Sequence, residues 1–193
     1  MPTSSDRKKN LESYFNELSR LVSNIEIFAV RRIVSELIDL RSTQGRLFIA
    51  GNGGSAATAE HFATDLGTGS HIRGGGIDTV SLSSNLSAIT ALANDLSFSK
   101  VFRVLFESSK PRSNDFLIVL SASGNSENII EVLSSARDLG VKTCAFTGFD
   151  GGKARELCDI SIHVNSEFGE YGLVEDAHSA ICHAITEEFR GGN

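Results

Sequence analysis

Residues 48–66 read FIAGNGGSAATAEHFATDL: a short apolar run, a glycine-rich turn, then a stretch with helical spacing. That order predicts a strand through Ala50, a loop at Gly51-Asn52-Gly53-Gly54-Ser55, and a helix passing through His61 and Asp65. Glycines let a backbone turn sharply and approach a ligand closely, and the free N–H groups at a helix start favour an anion. The segment therefore reads as a phosphate loop, with an ordinary βα turn as the plainer alternative. It is not a dinucleotide fingerprint, because the spacing fails after Gly51 and Gly53, and it lacks the GKS or GKT of a P-loop.

Working outward, short apolar runs alternate with helical patterns: LFIA (47–50), IDTVSLS (77–83), FLIVLSA (116–122), KTCAFTG (142–148) and ISIHV (160–164). Helical stretches are expected from near Gly54, Asn85, Asn125 and Gly152. Continuous apolar strands separated by helices mark a parallel sheet covered on both faces. The expected fold is α/β, a three-layer doubly wound sheet of about five parallel strands, in one domain over residues 1–193. A helical segment at about 6–43 precedes an α/β core at about 46–190. In that segment Leu11, Phe15, Leu18, Leu21 and Val22 recur at helical steps, and this apolar face is expected to be used in oligomerisation.

Ligands of such sheets bind beyond the carboxyl ends of the strands, so the loops there are where function is sought. After FLIVL comes Ser121-Ala122-Ser123-Gly124-Asn125-Ser126, three hydroxyls around a glycine at a helix start, which offers a phosphate several donors without a cation. His61 and Asp65, four apart, share a helix face just past the first loop. Glu175, Asp176, His178 and His183 lie on a late helix whose apolar side is Val174, Ala177, Ile181 and Ile185. Imidazole with carboxylate suits zinc and suits general acid–base work. Asn94-Asp95 reads as a helix stop or as a ligand to sugar hydroxyls. His71 and His163 read as non-functional.

A net charge of -6, with only Arg7-Lys8-Lys9 and Arg31-Arg32 as basic clusters, argues against nucleic acid as a partner. Three cysteines without paired spacing argue against a disulfide framework, and Cys144 and Cys182 read as core. No segment approaches the roughly 18 apolar residues of a membrane span, and no apolar leader follows the first charges. The expectation is a cytoplasmic protein with no membrane partner.

The motifs GNGGS, HFATDL, ALANDLSF, SASGNSENI, TGFDGGKA and VEDAHSAICH, in this order, resemble the sugar isomerase (SIS) family and, within it, the phosphoheptose isomerases. The resemblance covers roughly residues 10 to 190 and implies a flavodoxin-like sheet and a homotetramer. It also implies the conversion of sedoheptulose 7-phosphate, a phosphorylated seven-carbon sugar, to D-glycero-D-manno-heptose 7-phosphate. It assigns Asn52, Gly53, Gly54, Ser55, Asn94, Asp95, Ser121, Ser123, Ser126 and Glu175 to substrate. It sets His61, Asp65, Glu175 and His183 around Zn2+ at a subunit interface, with Asp65, His183 and Glu175 as the catalytic groups. Three matched positions depart from the family: Asp65 for the usual Glu, Glu175 for Gln, and Ala122 for Thr. The first two compensate if Asp65 is a metal ligand while Glu175 shares or takes the base role. The alternative to an enzyme is a non-catalytic family member, a phosphosugar-binding regulator that binds the replication initiator.

Overall fold

The computed structural model describes residues 10–72 and 75–191. Five strands, β1 (Arg46–Gly51), β2 (Asp78–Ser81), β3 (Phe116–Ser121), β4 (Lys142–Thr147) and β5 (Ile160–His163), form one parallel sheet in the order β2-β1-β3-β4-β5. Each coincides with one of the five apolar runs. The helices are α1 (Leu11–Ser23), α2 (Ile27–Ser42), α3 (Gly54–Thr64), α4 (Leu86–Asp95), α5 (Val101–Ser108), α6 (Glu127–Asp138), α7 (Gly152–Leu157) and α8 (Tyr171–Gly191).

Side chains alternate across a strand, so each central strand feeds two cores. Leu47, Ile49, Ile118, Leu120, Cys144 and Phe146 face the layer of α2, α3 and α8. Phe48, Ala50, Leu117, Val119 and Ala145 face the layer built from α4 to α7. The expected three-layer doubly wound architecture is therefore present. One helix was not anticipated. The crossover from β2 to β3 contains α5, whose Val101, Phe102 and Phe106 are buried, with Phe106 edge-on to Phe48 at 5.0 Å between ring centres.

The N-terminal helical segment resolves into two helices of different character. α2 buries Ile33, Val34, Leu37 and Leu40, while α1 buries only Leu21 and leaves Leu11 and Phe15 exposed. Asn10 caps α1 by accepting from the Ser13 N–H at 2.8 Å; the basic cluster at Arg7 to Lys9 lies outside the described residues, and Arg31 and Arg32 are exposed on α2. Among the described residues no helix is long and apolar enough to cross a membrane.

Topology now locates the functional end. From β1 the chain moves outward to β2, returns past β1 to β3, and continues the other way. The carboxyl ends of β1 and β3 are direct neighbours, with Gly51 in register with Leu120. Loops leave them in opposite directions, and the crevice between such loops is the ligand site of this strand order. The two loops singled out in the sequence are those that follow β1 and β3.

Candidate active site

Gly53 and Gly54 of the first loop are needed for different reasons. Gly53 sits at φ 54°, ψ −124°, with open space where a side chain would go, so it is required for its backbone conformation. Gly54 is required for room: a Cβ there would come 2.3 Å from Oε2 of Glu175, which reaches over from α8. Because the N-cap of α3 is Gly53, no side chain caps its first N–H groups; that of Ala56 donates to the Asn52 and Gly53 carbonyls, and the two before it are the ones available to an anion. Ser55 is buried at the start of this helix.

The second loop is built around Gly124 at φ 63°. Ser121 accepts the Gly124 N–H at 3.2 Å, and Ser123 accepts the Asn125 N–H at 3.2 Å. Ser126 is the N-cap of α6 but makes no capping bond, which leaves its hydroxyl and the helix start uncommitted. Ala122, where the family commonly has Thr, is buried with Phe149 and Val174, so this position is apolar here. The two loops are joined by Asn52 and Asn128, whose side-chain amides exchange two hydrogen bonds of 2.9 Å across 76 residues of chain. Asn128 is buried. It was not singled out in the sequence, because a pairing at that separation has no local signature.

Near the other end of α3 lies an imidazole–carboxylate cluster. One ligand atom from each of His61, Asp65 and His183 lies within 4.8 Å of the others. Nε2 of His61 is 3.6 Å from Oδ2 of Asp65, and the rings of His61 and His183 meet edge to face at 4.9 Å. Tetrahedral zinc with bonds near 2.1 Å separates its ligand atoms by about 3.4 Å, so the donor set and its spacing fit such an ion. Packing of α3 against α8 brings His183 to this pair. Asp65 opens a π-helical turn over Asp65–Gly69 rather than continuing α3; single π turns recur at functional sites.

Glu175 is not in this group of three: its carboxylate rests on Gly54, at the cradle end of α3. Burial, then the neighbouring Asp176, raises its pKa. Tyr14 of α1 donates to Oδ2 of Asp176 at 2.7 Å, a contact between the N-terminal helix and α8 that the sequence did not suggest. Asn94 and Asp95 are exposed at the last turn of α4, where the Asn94 amide donates to Oδ1 of Asp95 at 2.9 Å. They end that helix, as expected. His71 is exposed outside the cluster. His163 contacts the Thr147 hydroxyl at 3.2 Å.

His178, next to the reactive residues in sequence, lies in the core instead. It is 1% exposed, with Nε2 3.3 Å from the Thr147 carbonyl and Nδ1 without a partner. Burial pushes its pKa down to about 4. The unfolded chain binds this proton below about pH 6.5 while the folded chain does not, so stability falls as pH drops from there towards 4. We expect urea denaturation to show a loss of about 1.4 kcal/mol per pH unit across that window from this group alone. His178→Gln should flatten the slope, and an unchanged slope would refute the assignment.

A family model for the SIS domain matches residues 13–148. The phosphoheptose isomerase of Helicobacter pylori (strain Shi470) is 38% identical over 151 residues, covering 78% of this chain and 77% of the relative. The probable phosphoheptose isomerase of Thermoplasma volcanium is 33% identical over 177 residues, covering 91% of this chain and 88% of the relative. Among solved structures, phosphoheptose isomerase from Neisseria gonorrhoeae superposes with a TM-score of 0.83 at 28% identity, covering 94% of this chain and 97% of that one. That from Francisella tularensis gives 0.86 at 25% identity, covering 94% and 96%. The chain belongs to the SIS domain family. Within that family it is an enzyme of the aldose–ketose isomerase class.

Proposed function

We propose that the protein converts sedoheptulose 7-phosphate to D-glycero-D-manno-heptose 7-phosphate, an early step towards nucleotide-activated heptose, as a cytoplasmic homotetramer holding zinc at His61, Asp65 and His183. One observation carries this reading: α3 begins in a phosphate cradle and ends in an imidazole–carboxylate cluster. His61 is seven residues, about 10 Å of helix, beyond Gly54. A long open-chain sugar phosphate can occupy that length, with its phosphate in the loops and its reacting carbons between the cluster and the Glu175 carboxylate.

In this reading Asn52, Gly53, Gly54, Ser55, Ser121, Ser123 and Ser126 bind the phosphate end, and Asn94 and Asp95 take sugar hydroxyls. Binding energy from the phosphate is then available to orient the reacting carbons. Zinc, when bound, supplies Lewis-acid polarisation of the sugar carbonyl. The isomerisation moves a proton between C1 and C2 through an enediolate. Glu175 takes the proton from one carbon and returns it to the other, while His183 manages the proton on the carbonyl oxygen. The division of labour between two carboxylates is supported by their surroundings. Asp65 stands among imidazoles, whereas Glu175 stands apart with a raised pKa, closer to the working pH of a general base. Apolar side chains exposed on α1 (Leu11, Phe15), α2 (Phe28) and around α4 (Leu86, Leu96, Phe98) support assembly with further copies.

The test is to incubate the purified protein with sedoheptulose 7-phosphate, with and without zinc, and follow the aldose by NMR. Aldose formed with zinc and lost with chelator is the expected result. Absence of turnover in both samples, with the sugar phosphate still raising Tm, would favour the binding-only regulator.

A further inference from the structure

The π turn that carries Asp65 is held from the far end of the chain. In the last turn of α8, Nη2 of Arg190 donates to the Asp65 carbonyl oxygen at 2.9 Å, and its Nε donates to the Ser70 hydroxyl at 3.1 Å. The buried Ser70 hydroxyl donates in turn to the same carbonyl at 2.7 Å. Nη2 also lies 3.8 Å from Oδ1 of Asp65, whereas the other carboxylate oxygen, Oδ2, is the one beside His61. Nη1 pairs with Glu187 at 3.2 Å, and the Arg190 side chain is only 16% exposed. Gly69 leaves room for this arrangement, since a Cβ there would come 2.9 Å from Nη2.

An aspartate on a π turn has two freedoms that blur its aim: the looser backbone of the turn and the torsions of its own short stem. Arg190 restrains both, because Nη2 holds the Asp65 carbonyl and lies beside the outer carboxylate oxygen while Nε, on the same rigid plane, holds Ser70 at the end of the turn. A lysine, a point charge on a flexible stem, lacks that fork. We infer that Arg190 is a positioning residue for Asp65, directing Oδ2 towards His61 and His183, so that divalent-metal affinity depends on a side chain outside the ligand set. Outer-shell groups that orient ligands in this way change metal affinity about 10- to 100-fold when removed. The inference rests on the reading that His61, Asp65 and His183 hold a divalent ion.

Cobalt(II) titration of the metal-free protein tests both and separates them. Affinity is read by chelator competition, ligand geometry by the visible d–d absorption, and folding by thermal unfolding without metal. Wild type is expected to bind, and Arg190→Gln to bind at least about tenfold more weakly with an altered spectrum. In an Asp65→Ala background, which has no carboxylate to aim, Arg190→Gln should cost less than about twofold more, as a double-mutant cycle requires. Should Arg190→Gln unfold at the working temperature, Arg190→Lys takes its place, with an affinity loss of about threefold or more expected because the fork is missing. Wild-type affinity and spectrum in the Arg190 variants would overturn the inference while the metal reading stands. An equal loss in the Asp65→Ala background would also overturn it, since Arg190 would then act through the fold. No binding of cobalt by wild type would remove the metal reading and the inference together.

Discussion

Exchanging His183 for glutamine is expected to lower kcat by about 10²- to 10⁴-fold, the contribution of a positioned acid–base group. Thermal stability without metal should hardly change. His183 is exposed on α8, and its described contact is the edge of the His61 ring at 4.9 Å. Substitutions at such surface positions stay within about 0.5 kcal/mol. KM should also hold within a few-fold, because both phosphate loops lie outside the change. Steady-state isomerisation assays beside a melting curve decide the matter. A variant that keeps a third or more of the wild-type kcat would remove His183 from the chemistry.

The second large effect comes from one methyl group. In Gly54→Ala the new Cβ meets the Glu175 carboxylate at 2.3 Å, far inside contact distance, and the flexible end of the glutamate has to yield. A displacement of about 1 Å at a reacting group costs on the order of a hundredfold in rate. The fold should tolerate the change, since all three nearest atoms to the new Cβ belong to the flexible end of the Glu175 side chain. Gly53→Ala makes the opposite control: nothing blocks its side chain, but φ 54°, ψ −124° strains any other residue by about 1–3 kcal/mol. Glu175→Gln should lose activity on the scale of general-base removal, and Gly54→Ala added to it should cost little more, because both act through one carboxylate. Full activity in Glu175→Gln would exclude Glu175 as the base. It would leave the Gly54→Ala defect to be explained at the phosphate loop.

The sequence carries these features unequally. All five strands and the two glycine- or serine-bearing loops after β1 and β3 are legible, because an apolar run followed by glycines or serines is a local pattern. So is the sharing of one face by His61 and Asp65, since four residues is one helical turn. Distance along the chain limited the rest. Asn52 meets Asn128, Tyr14 meets Asp176, and Arg190 meets Asp65 through folding alone. α5 was overlooked because its apolar stretch follows the end of α4 with only a single 3₁₀ turn between them. His178 has the same residue type and helix as His183, and only the facing of α8 separates a core imidazole from an exposed one.

That helix has a consequence for how the protein withstands proteases. Both candidate phosphate loops, at residues 51–55 and 121–126, lie upstream of Glu175, His183 and Arg190. Yet α8 is also a wall of the core, burying Leu173, Val174, Ile181, Ile185 and Phe189. Losing α8 would leave part of the sheet face it shares with α2 and α3 uncovered, at a cost of about 1.5–3 kcal/mol for each large apolar side chain left in water. A chain cut before α8 is therefore expected to be degraded by proteases under conditions that leave the whole chain intact, which limited proteolysis checks.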